Sequence, residues 1–274
     1  MQKTILVTGA YGGMGRATTL TLAKMGYRVL ALDKKVGEVE ENIIPIEADL
    51  TCEQSVRNAY EKVTAQIDSL HAIIHFAGIY MLDSLVEMET EAFEKIFKVN
   101  LEGVFLVNKQ FMPLLSHGSR IIITTSELAT LDPLPFTGIY AITKGALDKY
   151  AFSLRMELQL KGIDVSVLRA GAVDTGMLDA SMHALEAFHK KTKIYTCNAE
   201  RFKNIVNKVE ARHISPDKLA KKAIKILRKK HPKFAYSINR NPLLLLLGAL
   251  PRRLQLWIIK QILKTKKGKE NEGN

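Results

Sequence analysis

Two groups of residues, far apart in the chain, have types and spacings that can do chemistry. Tyr140 and Lys144 are four residues apart, so a helix puts the phenol and the ammonium on one face. Ser126 adds a hydroxyl upstream. A phenol has an ordinary pKa of about 10, and proton transfer near about pH 7–8 asks for a drop of about 2–3 units. A cation at about 4 Å is worth about 4 kcal/mol at an effective dielectric of 20, which is enough. A serine hydroxyl can hydrogen-bond the same oxygen as charge develops on it. The second group is Thr8-Gly9-Ala10-Tyr11-Gly12-Gly13-Met14-Gly15. Glycines let a backbone turn sharply and approach a pyrophosphate, and a helix starting there offers free N–H donors. Together the two groups predict hydride transfer to or from a nicotinamide, with Tyr140 moving the proton.

Such groups need a scaffold, and the rest of the chain reads as one. Residues 5–7, 28–32, 43–46, 72–76, 120–124 and 164–168 are short apolar runs that read as strands. Residues 15–25, 53–67, 91–115 and 140–160 space their apolar residues by three and four, as helices do. Alternation of this kind predicts an α/β fold with a doubly wound parallel sheet and a ligand at the carboxyl ends of its strands. The glycine turn then follows the first strand. Asp33 closes the second strand, where a carboxylate can accept both adenosine ribose hydroxyls and repel a 2′-phosphate. That favours NAD over NADP, although Lys34 and Lys35 pull the other way. Asp49-Leu50 ends the third strand, within reach of an adenine amino group.

Composition is that of a globular protein: 274 residues, 47% hydrophobic and 25% charged. Cys52 and Cys197 form no motif and read as reduced thiols of a cytoplasmic protein. No leader is expected, because Gly9 interrupts any apolar core after Met1-Gln2-Lys3. The histidines have no metal-ligand spacing, so no metal is expected. His75 ends a strand near the expected cofactor, where a structural hydrogen-bonding role is favoured over contact with it. The net charge of +12 is uneven: residues 201–274 hold 20 Lys+Arg against 4 Asp+Glu, and residues 1–200 hold 20 against 24. Aromatic residues are too sparse for a nucleic-acid stacking platform, so no nucleic-acid partner is expected.

From Thr8 to about Thr175 the chain resembles the short-chain dehydrogenase/reductase family. The resemblance rests on an ordered set: the glycine turn, Asp49, Ala77-Gly78, Asn100, Ser126, Tyr140-x-x-x-Lys144 and Gly171-x-Val173-x-Thr175. It implies a Rossmann fold, a nicotinamide cofactor and an alcohol dehydrogenase or ketone reductase activity. It implies Tyr140 as general acid/base, Lys144 as its activator and a ribose contact, Ser126 as the carbonyl hydrogen-bonder and Asn100 as a water-relay residue. It places Gly9, Tyr11, Gly13, Met14, Gly15, Asp33, Asp49, Leu50, Ala77, Gly78, Tyr140, Lys144, Val173 and Thr175 around the cofactor. There are departures: the family's usual Asn-Asn-Ala-Gly is His75-Phe76-Ala77-Gly78, its Pro-Gly is Ala170-Gly171, and the Ser126–Tyr140 spacing is one residue longer than is commonest.

Substrate choice in this family lies in the loop after the sixth strand. Here residues 176–216 read as a long irregular excursion carrying Met177, Leu178, Met182, Leu185, Phe188 and Tyr195. Leu128, Leu131, Leu134 and Phe136 lie on the approach to Tyr140, and Glu127 reads equally as a substrate contact or a solvated loop residue. Glu127, Phe136 and Met177 are the expected substrate residues. This apolar, methionine-containing surface suits a small lipophilic substrate, such as a hydroxysteroid or bile acid. The enzymatic alternative is a 3-oxoacyl or 3-ketosphinganine-type reductase; the non-enzymatic one is a dinucleotide-binding redox sensor. One domain spans 1–240, followed by an apolar, basic extension at 241–264 and a polar tail at 265–274 expected to be disordered. The apolar run in the extension is too short to span a bilayer. It reads as a lid over the cleft, a dimer contact or a peripheral membrane helix, and a homo-oligomer is expected.

Overall fold

The computed structural model describes residues 2–209 and 213–264. Its strands are β1 (Thr4–Thr8), β2 (Arg28–Asp33), β3 (Ile43–Glu47), β4 (Leu70–His75), β5 (Leu115–Ser126), β6 (Asp164–Ala170) and β7 (Ala235–Ile238). All pair in parallel, in the order β3-β2-β1-β4-β5-β6-β7. The central residues of the strands are mostly apolar, because both sheet faces are covered. On one face Leu6, Leu30, Ile73, Ile121 and Val165 pack beneath α2 (Glu53–Thr64), α4 (Gly103–Phe111) and α5 (Gly138–Leu158). On the other, Ile5, Val29, Ile74 and Leu168 pack beneath α1 (Gly13–Lys24) and α8 (Pro216–Leu227). Strand order reverses between β1 and β4, so the crevice of this doubly wound sheet opens at their carboxyl ends.

The stretch 91–115 is helical up to Leu114, though not uniform, and Leu115 already opens β5. α3 (Thr90–Phe97) passes into a π-turn at Lys98–Glu102, then α4, then a short 3₁₀ turn. Residues 176–216 differ from expectation: they hold α6 (Gly176–Lys191) and α7 (Thr196–Val209) rather than an irregular loop. The signals for α6 are local. Thr175 caps it by accepting from the Met177 amide at 3.3 Å, Asp179 lies in its first turn, and His189, Lys190 and Lys191 lie in its last. β7 and α8 were likewise not foreseen. β7 is a four-residue, half-buried edge strand, too short for its pattern to stand out. The extension forms α9 (Pro242–Gly248) and α10 (Arg252–Leu263). Leu263 and Ile259 of α10 pack with Leu185, Phe188 and Phe202 in a satellite core. The expected tail 265–274 lies outside the described residues.

Candidate active site

The glycine turn after β1 is built for close approach. Gly9 has φ of +65°, and a Cβ there would lie 2.6 Å from the Ala77 amide nitrogen. A Cβ on Gly15 would lie 1.9 Å from the Gly9 carbonyl oxygen, and one on Gly13 would lie 2.5 Å from Thr175 Cγ2. The turn therefore touches the loop after β4 and the cap of α6 after β6 at once. α1 starts from it with no side-chain cap, leaving N–H donors at its first turn. These features fit the pyrophosphate of a dinucleotide. Met14, Val173 and Thr175 line the adjoining cavity. Tyr11 donates its amide to Asp33 Oδ2 at 2.9 Å, fixing the carboxylate at the end of β2. The Tyr11 hydroxyl is buried with no hydrogen-bond partner among the described residues.

Lys34, expected to compete with Asp33, is bound to Asp49 instead, at 2.6 Å. The Lys34 hydrogen bond, together with those from Thr51, holds the Asp49 carboxyl down at about 2. Leu50 is buried against Gly103, where a Cβ would meet it at 3.0 Å. Gly78 follows β4 beside the catalytic candidates: a Cβ there would lie 3.2 Å from Asn100 Oδ1 and 3.3 Å from Lys144 Nζ.

β5 delivers Ser126 at its last residue, and α5 presents Tyr140 and Lys144 one turn apart. All three are buried. Ser126 accepts from the Leu128 amide at 3.2 Å, and its hydroxyl stands close enough to the Tyr140 phenol to favour the ionised form. Lys144 Nζ donates to the Thr124 carbonyl at 3.5 Å and stands 5.7 Å from the centre of the Tyr140 ring. Asn100 lies in the π-turn, an interruption often found at functional sites. Its Oδ1 accepts from the Ile79 amide at 2.8 Å, and its Nδ2 donates to the Ile79 carbonyl at 3.0 Å and to Thr143 Oγ1 at 3.1 Å. The side chain is thus fully engaged in holding the loop after β4 against α5.

The expected lowering of the Tyr140 pKa is not met in this arrangement. Burial raises it, the nearby Tyr80 raises it further, and the Ser126 hydroxyl opposes both. Lys144, itself buried, is pushed down to about 8. Tyr80 was not singled out from the sequence, yet its ring centre lies 4.8 Å from that of Tyr140. Nothing in its spacing marks it, because the β4–α3 loop that carries it has no regular pattern. His75 takes the structural role: it is buried, with Nε2 2.9 Å from Asn108 Oδ1 and Nδ1 3.4 Å from Thr8 Oγ1.

Ser126 and Tyr140 line a cavity of about 750 Å³ whose wall is otherwise mostly apolar. Met177, Leu178, Leu128 and Leu134 lie in that wall as expected. Glu127 does too, but as a buried group and not a solvated one. Its Oε2 accepts from the Asn241 amide at 2.7 Å, and burial raises its pKa, with that bond and Arg240 opposing. Phe136, an expected substrate residue, is not part of the wall. With φ of +66° it turns its ring into Phe188, Tyr195 and Phe202, at centroid distances of 4.5, 5.2 and 5.4 Å. Leu185 and Phe188 are buried in the same satellite core, so they support the pocket from behind. The extension supplies more of the wall than the sequence suggested, including Leu244, Leu247, Leu250 and Ile258. No group of three His, Cys, Asp or Glu among the described residues could hold a metal ion.

Comparison with known proteins places these features in a family. The profile described as short chain dehydrogenase matches residues 3–186. An uncharacterized oxidoreductase, YbbO, of Escherichia coli K12 is 34% identical over 185 residues, covering 65% of this chain and 69% of its own. Estradiol 17-beta-dehydrogenase 2 of Mus musculus is 32% identical over 190 residues, covering 64% of this chain and 49% of its own. Among solved structures, a short chain dehydrogenase family protein from Francisella tularensis superposes with a TM-score of 0.73 at 23% identity, over 87% of this chain and 97% of that one. A 3-ketoacyl-(acyl-carrier-protein) reductase from Brucella melitensis, complexed with NADH, gives 0.70 at 22% identity, over 86% and 96%. These structural likenesses speak to the fold. The sequence match spans well over half of the chain and takes in both the glycine turn and the Tyr140 helix, so the protein belongs to the short-chain dehydrogenase family and is an oxidoreductase.

Proposed function

We propose that the protein interconverts a secondary alcohol and a ketone on a lipophilic molecule of the hydroxysteroid or bile acid kind, using NAD(H). The observation that carries this reading is the pairing of the Tyr140 phenol with the Ser126 hydroxyl in the wall of one otherwise apolar cavity. A volume of about 750 Å³ suits a bulky ligand, and few polar groups converge on it. Estradiol 17-beta-dehydrogenase 2, a relative by sequence, bears a steroid in its name, which agrees with this substrate class.

A nicotinamide dinucleotide supplies the hydride, or accepts it, when bound beside the glycine turn. Gly9, Gly13 and Gly15 would admit its pyrophosphate, and Asp33 would receive the adenosine ribose hydroxyls. The Asp33 carboxylate repels a 2′-phosphate, and the Lys34 charge is already paired with Asp49, so NAD is preferred over NADP. During reduction Tyr140 donates its phenolic proton to the substrate oxygen. Ser126 hydrogen-bonds that oxygen and holds it against the phenol. Lys144, a cation at neutral pH, stabilises the phenolate that remains. Asn100 keeps Gly78 and the β4–α3 loop in place beside Lys144. Oxidation runs the same steps backwards, with the Tyr140 phenolate as base.

A panel of hydroxysteroids, bile acids and small ketones tests this, with each cofactor and absorbance at the reduced nicotinamide band as readout. The reading expects turnover of a bulky apolar alcohol or ketone with a higher kcat/KM for NAD(H). Preference for polar or acyl-thioester substrates would reject the substrate class, and preference for NADP(H) would reject the role of Asp33.

A further inference from the structure

We propose that the outer face of α9 and α10 docks on an anionic lipid bilayer. Large apolar side chains stand in water there: Leu243 is 61% exposed, Leu246 66%, Leu256 68% and Trp257 58%. In α10 the pattern is specific. Arg253, Leu256, Trp257 and Lys260 are spaced three and four apart, so cations flank the apolar pair on one exposed helix face. A tryptophan between cations on a short surface helix has the composition of an interfacial segment. Among the described residues no helix is long and apolar enough to cross a membrane, so the contact lies in the surface plane.

Charge selects lipid over a second copy of the chain. Residues 241–264 hold four Lys+Arg and no Asp or Glu; Arg252 is paired with Asp132, and Arg253, Lys260 and Lys264 are exposed. Two copies meeting through this face would bring like charges together, whereas an anionic headgroup layer complements them. Leu243, Leu246 and Ile262 line the cavity and are nevertheless exposed, which adds to the apolar surface that α9 and α10 hold in water.

Co-sedimentation of the full chain with vesicles tests the docking without any assay of activity. The vesicles are phosphatidylcholine alone, and phosphatidylcholine mixed with phosphatidylserine. The expected result is binding to the mixed vesicles at low salt that weakens as salt rises. Two variants should each lose at least about tenfold in partitioning: Leu256→Glu with Trp257→Glu, and Arg253→Glu with Lys260→Glu. None of these four residues lines the cavity, so melting temperature and NADH binding should stay as in the wild type and report that the variants fold. Wild-type protein that stays in the supernatant at low salt would overturn the proposal, as would folded variants that sediment like the wild type. A concentration-dependent dimer broken by Trp257→Glu, with no vesicle binding, would assign the face to a second copy of the chain.

Discussion

Burial moves the pKa values of Tyr140 and Lys144 in opposite directions, up and down, and so pushes each toward its neutral form. For Lys144 the folded value of about 8 lies below the ordinary 10.5. Between those values the unfolded chain binds the extra proton, so this group makes stability rise with pH from about 8 to about 10.5. His75 behaves likewise in acid. Burial holds it at about 4 against an ordinary 6.5, so its contribution is lost as pH falls from 6.5 through 4. His75→Asn should flatten the difference in stability between about pH 7 and pH 4 by about 3 kcal/mol, measured by urea unfolding at each pH. The role proposed for Asp33 in cofactor choice belongs to the same scale. Asp33→Ala should narrow the NADH over NADPH preference in kcat/KM by at least about tenfold. An unchanged ratio would show that Asp33 does not contact the ribose.

The elements hold these residues through a few ties that cross between them. Tyr140, Lys144 and Asp148 follow one another at spacings of four on α5, facing the sheet. Asp148 accepts from Arg169 of β6 at 2.9 and 2.7 Å, and Thr125 of β5 donates to it at 3.4 Å. This tie sets the height of α5 over the strand ends where Ser126 sits. Asp148→Ala leaves the partly buried guanidinium without its carboxylate, and should cost about 3 kcal/mol by chemical denaturation. Asp148→Asn, which keeps hydrogen bonding, should cost less. At this scale the sequence was most legible where one pattern dominates. Continuous apolar runs marked six of the seven strands because both faces are covered, and glycine spacing marked the turn because no other residue fits those contacts. α6 was missed although Thr175, Asp179 and the terminal Lys190-Lys191 were all in view. Its apolar spacing reads equally as pocket lining. Phe136 was misplaced for a related reason: a positive φ, not visible in residue type, turns its ring away from the cavity.

Across the whole molecule, the sheet and the extension divide the work. The two core clusters flanking the sheet contain no residue of 241–264, whereas the cavity wall and the satellite core both do. Truncation after Asn241 should therefore leave a folded sheet that binds NADH, and keep the amide that Glu127 holds. Activity on bulky apolar substrates should fall by more than activity on small ketones, measured as kcat/KM for each. The central claim, that Tyr140 moves the proton, has a more direct test. Tyr140→Phe keeps the ring and removes only the hydroxyl. At saturating NADH, with a ketone that the wild type reduces, turnover followed by nicotinamide absorbance should fall about 10³-fold. NADH affinity should stay within a few-fold. A folded Tyr140→Phe protein that binds NADH and turns over near the wild-type rate would contradict the account.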